Sequence, residues 1–313
     1  MNYIKHLPIA LVFCLFSCKN GKSSSQVSYI PQDTLTAFYL PAIPAMLNTP
    51  ELRADFLVKH YWDNVNFADT NYIHHPDITE QAWADYCDLL NHVPLSTAQE
   101  AIKKTIARTE TEKKVFDYIT GLADKYLYDP NSPLRNEEFY IPVLEAMISS
   151  SVLTETEKIR PQARIEMAYK NRVDTKAIDF TYTLESGAQS TLYKIKSQYT
   201  VLFINNPGCH ACTENIEALK DSPIINELIQ KKQLAVIALY PDEELDEWRR
   251  HRDEFPQEWI NGYDKSLTIK TQNLYDLKAV PTLYLLDANK KVLLKDALSL
   301  IHISEPTRLG MIS

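Results

Sequence analysis

An all-α N-terminal domain followed by an α/β domain, with a mixed sheet flanked by helices, is the fold class this 313-residue sequence predicts. Three observations carry that expectation. Apolar residues recur at helical spacing from about 33 to 172. From 173 to 297, short β-prone runs alternate with helical ones. The alternation centres on one stretch, Tyr199 to Leu219, that reads strand, turn, Cys-x-x-Cys, helix. The length allows two domains of ordinary size.

Residues 1–17 read as a leader: Lys5 supplies positive charge, and the apolar core Leu7–Phe16 is too short to span a bilayer as a mature helix. Leu15-Phe16-Ser17-Cys18 looks like a bacterial lipobox, which predicts cleavage before Cys18 and lipid on its sulfur. Several acyl chains, at about 0.8 kcal/mol per buried CH₂, anchor a protein firmly. The alternative is a plain secretory peptide; either places the protein outside the cytoplasm, in the cell envelope. Residues 18–32 then form a flexible, serine-rich tether. The net charge of −8, without a basic patch, argues against nucleic acid as a partner. Five cysteines, with Cys14 in the leader and Cys18 at its cleavage point, are too few for a disulfide scaffold.

Residues 33–172 predict five to seven packed helices. Leu52, Phe56, Leu57 and His60 mark one face, and Trp83, Tyr86, Leu89 and Leu90 another. Ser96 with Gln99 reads as a capping box. Val115, Ile119 and Leu122 continue the pattern, as do Tyr140, Val143, Leu144 and Met147; the prolines, Pro142 among them, are expected near helix ends or first turns. These aromatic stripes are core positions, and Cys87 reads as a buried structural thiol.

In the second domain, runs 177–183 and 190–195 bracket Ser186-Gly187 as a hairpin. The strand Thr200–Ile204 ends in Asn205-Asn206-Pro207-Gly208, and the Cys209–Cys212 helix follows. Ser222-Pro223 opens another helix, Leu234–Tyr240 is a buried strand, and Pro241–Glu254 is an amphipathic helix. Pro281 heads the strand Thr282–Leu286, which turns back into Lys291–Lys295.

The Cys-x-x-Cys spacing has a chemical reason. Cys209 stands where a helix begins, so unpaired backbone N–H groups and the helix dipole favour a thiolate there. Cys212 lies one turn later, placed to attack a mixed disulfide at Cys209. His210 is within reach of both sulfurs, and a protonated ring there would stabilise the thiolate further. A zinc site would need about four ligands, and no second Cys-x-x-Cys or His pair is present. A c-type haem would need His after the second cysteine, where Thr213 stands. A chance pair of inert cysteines is the remaining alternative.

Pro-Gly-Cys-His-Ala-Cys (207–212) together with Ala-Val-Pro-Thr-Leu (279–283) resembles the thioredoxin fold, in particular TlpA-like thiol-disulfide oxidoreductases. The resemblance implies that Pro281 is a cis-proline against the cysteines, and that it and the Val280 backbone position substrate. It also implies that Cys209 and Cys212 are the catalytic pair, tuned by His210. The implied partners are protein thiol or disulfide clients and an electron donor, and no cofactor is required because the sulfurs carry the electrons. Family members often carry Trp where Gly208 stands, and thioredoxin carries a buried acid where Phe203 stands. A second reading is a non-catalytic lipoprotein whose thioredoxin-like scaffold only binds. A peroxidase is disfavoured because Asn206 occupies the place of the Thr such enzymes use. The helical half resembles a domain of unknown function found ahead of thioredoxin-like domains, with client presentation or selection as its expected role.

Residues 298–313, beginning Leu298-Ser-Leu-Ile-His-Ile-Ser-Glu-Pro-Thr-Arg308, look like a translated sequencing-library adapter. On that reading the final helix of the fold is missing and His302 carries no function.

Overall fold

A computed structural model of the protein describes residues 37–295. The leader, Cys18, the tether and the tail from 298 lie outside the described residues.

Six α-helices occupy the first half of the described chain: α1 Pro50–His60, α2 Pro76–Leu89, α3 Leu95–Thr109, α4 Lys113–Ala123, α5 Glu137–Ser149 and α6 Glu155–Tyr169. They close around an aromatic centre in which Trp62, Trp83 and Tyr86 are buried and in mutual ring contact. Cys87 is buried beside them, and burial pushes its thiol up to about 12. The inward side of α1 differs from the expected one. Leu52 is exposed, and Val58, Tyr61 and Trp62 at the end of the helix go inside, because the large rings there find partners on α2.

Two other local expectations are corrected. Ser96 lies within α3, whose N-cap is Pro94, so no capping box forms there. The reciprocal box is Thr154 with Glu157 at the start of α6. Pro142 stands inside α5, not near its end. A helical proline leaves the carbonyl four residues back without its N–H donor. That carbonyl belongs to Glu138, and Gln99 Nε2 donates to it at 3.0 Å. The side chain expected to cap α3 thus repairs α5.

The second half is a seven-stranded mixed sheet in the order β2-β1-β5-β4-β3-β6-β7 among the described residues. Its strands are β1 Thr181–Leu184, β2 Gln189–Thr191, β3 Tyr199–Ile204, β4 Leu234–Tyr240, β5 Ile260–Tyr263, β6 Thr282–Asp287 and β7 Val292–Lys295. β3 is buried along its whole length, parallel to β4 and antiparallel to β6. Helices α7 His210–Asp221, α8 Pro223–Gln230, α9 Leu245–His251 and α10 Thr268–Thr271 complete this half. The hairpin forms around Gly187 at φ +83, with shorter strands than expected. The amphipathic helix is only α9 plus one 3₁₀ turn, with Trp248 facing the core.

Strand β5 has no counterpart in the periodicity of the sequence. Its Gly262 allows the close approach of β1: a Cβ there would lie 3.0 Å from Tyr182 Cδ2 and 3.3 Å from the Thr183 carbonyl oxygen. Gly262→Ala is therefore expected to destabilise the fold by about 1–3 kcal/mol, read by denaturant unfolding, since backbone is one of the atoms that must yield.

Candidate active site

The site is built at the C-terminal end of β3. The chain leaves Ile204 through a turn in which the Cys209 N–H donates to the Asn206 carbonyl at 3.3 Å and Gly208 takes φ +73. That left-handed backbone favours glycine at 208. Cys209 is the N-cap of α7, and its Sγ accepts the Cys212 backbone N–H at 3.4 Å. The helix start thus directs an otherwise unpaired N–H at this sulfur.

The Val280–Pro281 peptide bond is cis, and Cys209 Sγ lies 3.8 Å from the Val280 carbonyl oxygen. The antiparallel register Ile204 to Thr282 brings the two segments together, because each continues from one end of the same strand pair. Cys209 is half-buried and Cys212 is buried, and both are free thiols. Burial pushes the Cys212 thiol up to about 12, against the opposing pull of the Asn206 backbone; Cys209 adds to the rise.

His210 stands apart from the sulfurs. Its side chain is 90 % exposed and its Nε2 lies 3.2 Å from Glu214, one helical turn on. The ring therefore faces a carboxylate and solvent, which differs from the expected reach to both thiols. Phe203, where an acid stands in thioredoxin, is fully buried in the apolar cluster that includes Cys212.

One neighbour was not legible in the sequence. His251, at the end of α9, has Nε2 3.9 Å from the point where a Gly208 Cβ would stand. Its ring nitrogens lie 2.7 Å from Glu254 and 3.0 Å from Glu247, and these carboxylates, Glu254 foremost, raise its pKa above the ordinary histidine value. The i, i+4 spacing of Glu247 and His251 was visible, but not the packing of α9 on the Cys209 turn. Among the described residues, no group of three or more His, Cys, Asp and Glu is arranged to hold a metal, and no helix is long and apolar enough to cross a membrane.

Residues 17–171 match a domain of unknown function, DUF5106, and residues 197–292 match a thioredoxin-like domain. A thioredoxin-like protein from Bacteroides caccae, known from its crystal structure, is 69 % identical over 88 % of this chain and 99 % of its own, with a TM-score of 0.86. The C-terminal domain of an uncharacterized protein from Bacteroides fragilis is 59 % identical, covering 46 % of this chain and 99 % of its own at a TM-score of 0.43. The thioredoxin domain of a thiol-disulfide oxidoreductase from Bacteroides vulgatus is 17 % identical over 40 % of this chain and 88 % of its own, with a TM-score of 0.36. No curated protein matches. With a relative of that identity matched over nearly its full length, and with the helical domain of unknown function in front, the chain belongs to the thioredoxin-like family.

Proposed function

We propose that this protein is a lipid-anchored thiol-disulfide oxidoreductase of the bacterial cell envelope that exchanges disulfides with protein clients through Cys209 and Cys212. The observation that carries the reading is the Cys209 sulfur, half-buried at the head of α7 and 3.8 Å from the carbonyl beside cis-Pro281. Membership of the thioredoxin-like family supports a redox role. The lipid anchor at Cys18 and the envelope location rest on the leader pattern alone.

In the reductive direction, the Cys209 thiolate attacks one sulfur of a client disulfide. The Cys209–client bond forms, the client's S–S bond breaks, and the released client sulfur takes a proton. Cys212 then loses its proton and attacks Cys209 Sγ. The Cys209–Cys212 disulfide forms and the second client thiol leaves. The client has gained two electrons and two protons, which a dithiol donor restores to the pair. The backbone of Val280 and the cis-Pro281 edge line the face on which an extended client segment lies.

Burial of Cys212 makes its deprotonation the pH-sensitive event. Below a thiol pKa, the thiolate fraction rises about tenfold per pH unit. Resolution of a mixed disulfide at Cys209 is expected to accelerate by that slope from pH 7 to 9, measured by quenched-flow release of a fluorescent peptide thiol. A flat profile would show that Cys212 is not the attacking group.

The reading is tested by trapping. Cys212→Ala in the full chain is expected to accumulate mixed disulfides on Cys209 that dithiothreitol releases. A variant that binds partners equally well when Cys209 is also replaced would instead be a non-catalytic scaffold.

A further inference from the structure

Residues 273–281 connect α10 to β6 and end in the cis Val280–Pro281 bond beside Cys209. The helical half holds this connection at three points. Lys170 Nζ donates to the Asn273 carbonyl at 2.8 Å, and Asn171 Nδ2 donates to the Leu274 carbonyl at 2.8 Å. Asn171 is 3 % exposed, and its Oδ1 accepts the Ile178 N–H at 2.7 Å, so its amide ties the first residues of the α/β half to the same connection. The third point is Lys278, whose Nζ lies 4.5 Å from the centroid of the Tyr128 ring. That ring is stacked on Tyr140 with centroids 5.0 Å apart, and the Arg164 guanidinium lies 4.2 Å from its centroid.

Lys278 is also paired with Asp276 at 2.7 Å, and it stands two residues before Val280. From the other side, the Tyr275 hydroxyl donates to the Ile178 carbonyl at 2.5 Å. A connection without regular secondary structure opens locally unless other groups hold it. Here the groups that hold it come from the two residues that follow α6 and from Tyr128 between α4 and α5, all remote in sequence from the thiols.

We propose that the helical half is a clamp that positions the Val280–Pro281 backbone against Cys209 and so sets how fast a client disulfide reacts there. The rate claim rests on the thiol-exchange reading above. Its physical basis is that a displacement of about 1 Å in a reacting pair lowers rates by up to about 10²-fold, so a segment that carries the docking edge must be fixed from outside the site. Lys170, Asn171, Tyr128 and Lys278 are positioning residues in this account, since none touches a thiol.

The test uses the full chain in two forms, Lys170→Met/Asn171→Asp and Tyr128→Leu. Asn171→Asp keeps the acceptor for Ile178 and tolerates the left-handed φ of +50, while removing the donor to Leu274. Tyr128→Phe retains the ring face as the conservative control. Three readouts are taken: backbone hydrogen exchange of peptides covering 273–285, the iodoacetamide alkylation rate of Cys209, and the reduction of insulin disulfides. Both variants are expected to exchange faster in 273–281 and to reduce insulin about tenfold more slowly. Cys209 alkylation should stay within about twofold of the wild-type rate, since the helix start at the sulfur and the Cys212 N–H it accepts are untouched. Tyr128→Phe should match the wild type in all three.

Unchanged hydrogen exchange in both variants would overturn the clamp. Faster hydrogen exchange with unchanged insulin reduction would overturn its role in the rate. An equal fall in alkylation and insulin reduction would show damage at Cys209 and also count against it. A wild-type chain that cannot reduce insulin, while its variants still loosen 273–281, would instead overturn the thiol-exchange reading and with it the rate claim.

Discussion

Cys209→Ser will bring disulfide reduction by the full chain down to the uncatalysed rate, a fall of about 10³-fold or more in turnover with insulin and a dithiol donor. A serine oxygen cannot form the sulfur–sulfur bond on which both steps depend. Cys212→Ser has a different signature. The first bond still forms, because the Cys209 sulfur, the backbone N–H it accepts and the Val280 carbonyl beside it are retained. Turnover stops at the mixed disulfide, which accumulates and is visible as an added mass. Retained turnover without that adduct would place the resolving thiol elsewhere. Cys87 is too deeply buried in the helical core to take over.

The second large effect is on stability. Lys295, at the end of β7, lies 2.6 Å from Glu137 in the first turn of α5, and its side chain is 6 % exposed. Its ammonium also donates to the Ala168 and Lys170 carbonyls at 3.2 and 2.8 Å, so it satisfies the C-terminal end of α6. Burial pushes Lys295 below the ordinary lysine pKa and Glu137 above the ordinary carboxylate value, while each opposes the other's shift. Lys295→Met leaves a half-buried carboxylate and two carbonyls at the end of α6 without that partner, and is expected to cost about 2–4 kcal/mol in urea unfolding at pH 7. Adding Glu137→Gln should recover part of the loss, because the stranded charge is gone while the carbonyls stay uncapped. Additive losses in the double variant would show that the two side chains do not act as a pair.

The strand–turn–helix around Cys209 was legible in the sequence because its signals are local. A β-prone run, turn residues and helical spacing follow one another within Tyr199–Leu219, and the Pro281 strand shows the same economy. Strand β5 was not legible. Ile260-Asn-Gly-Tyr263 has neither alternation nor strong β propensity, and it is a strand because β4 and β1 pair with it from both sides. The inward side of α1 was misread for a related reason. Leu52 and Leu57 fit a helical stripe, but the rings of Tyr61 and Trp62 outweigh them once α2 supplies Trp83 and Tyr86. Gln99 was read as a cap because its spacing from Ser96 is right; the carbonyl it serves lies 39 residues away, freed by Pro142. The contacts of Lys170 and Asn171 with the α/β half, and of Lys295 with the helical half, join residues 103 to 127 apart and leave no periodic trace.

At the centre of the account is a reversible two-electron couple held by Cys209 and Cys212. The most direct measurement is equilibration of the full chain across glutathione redox buffers, followed by acid quench, alkylation and mass mapping of the two cysteines. The account predicts a single transition in which both residues lose their alkylation sites together, one disulfide forms between them, and the midpoint falls within about −270 to −120 mV, the span of known thioredoxin-fold couples. Cysteines that stay alkylatable across the whole series, or that oxidise independently of one another, would contradict it.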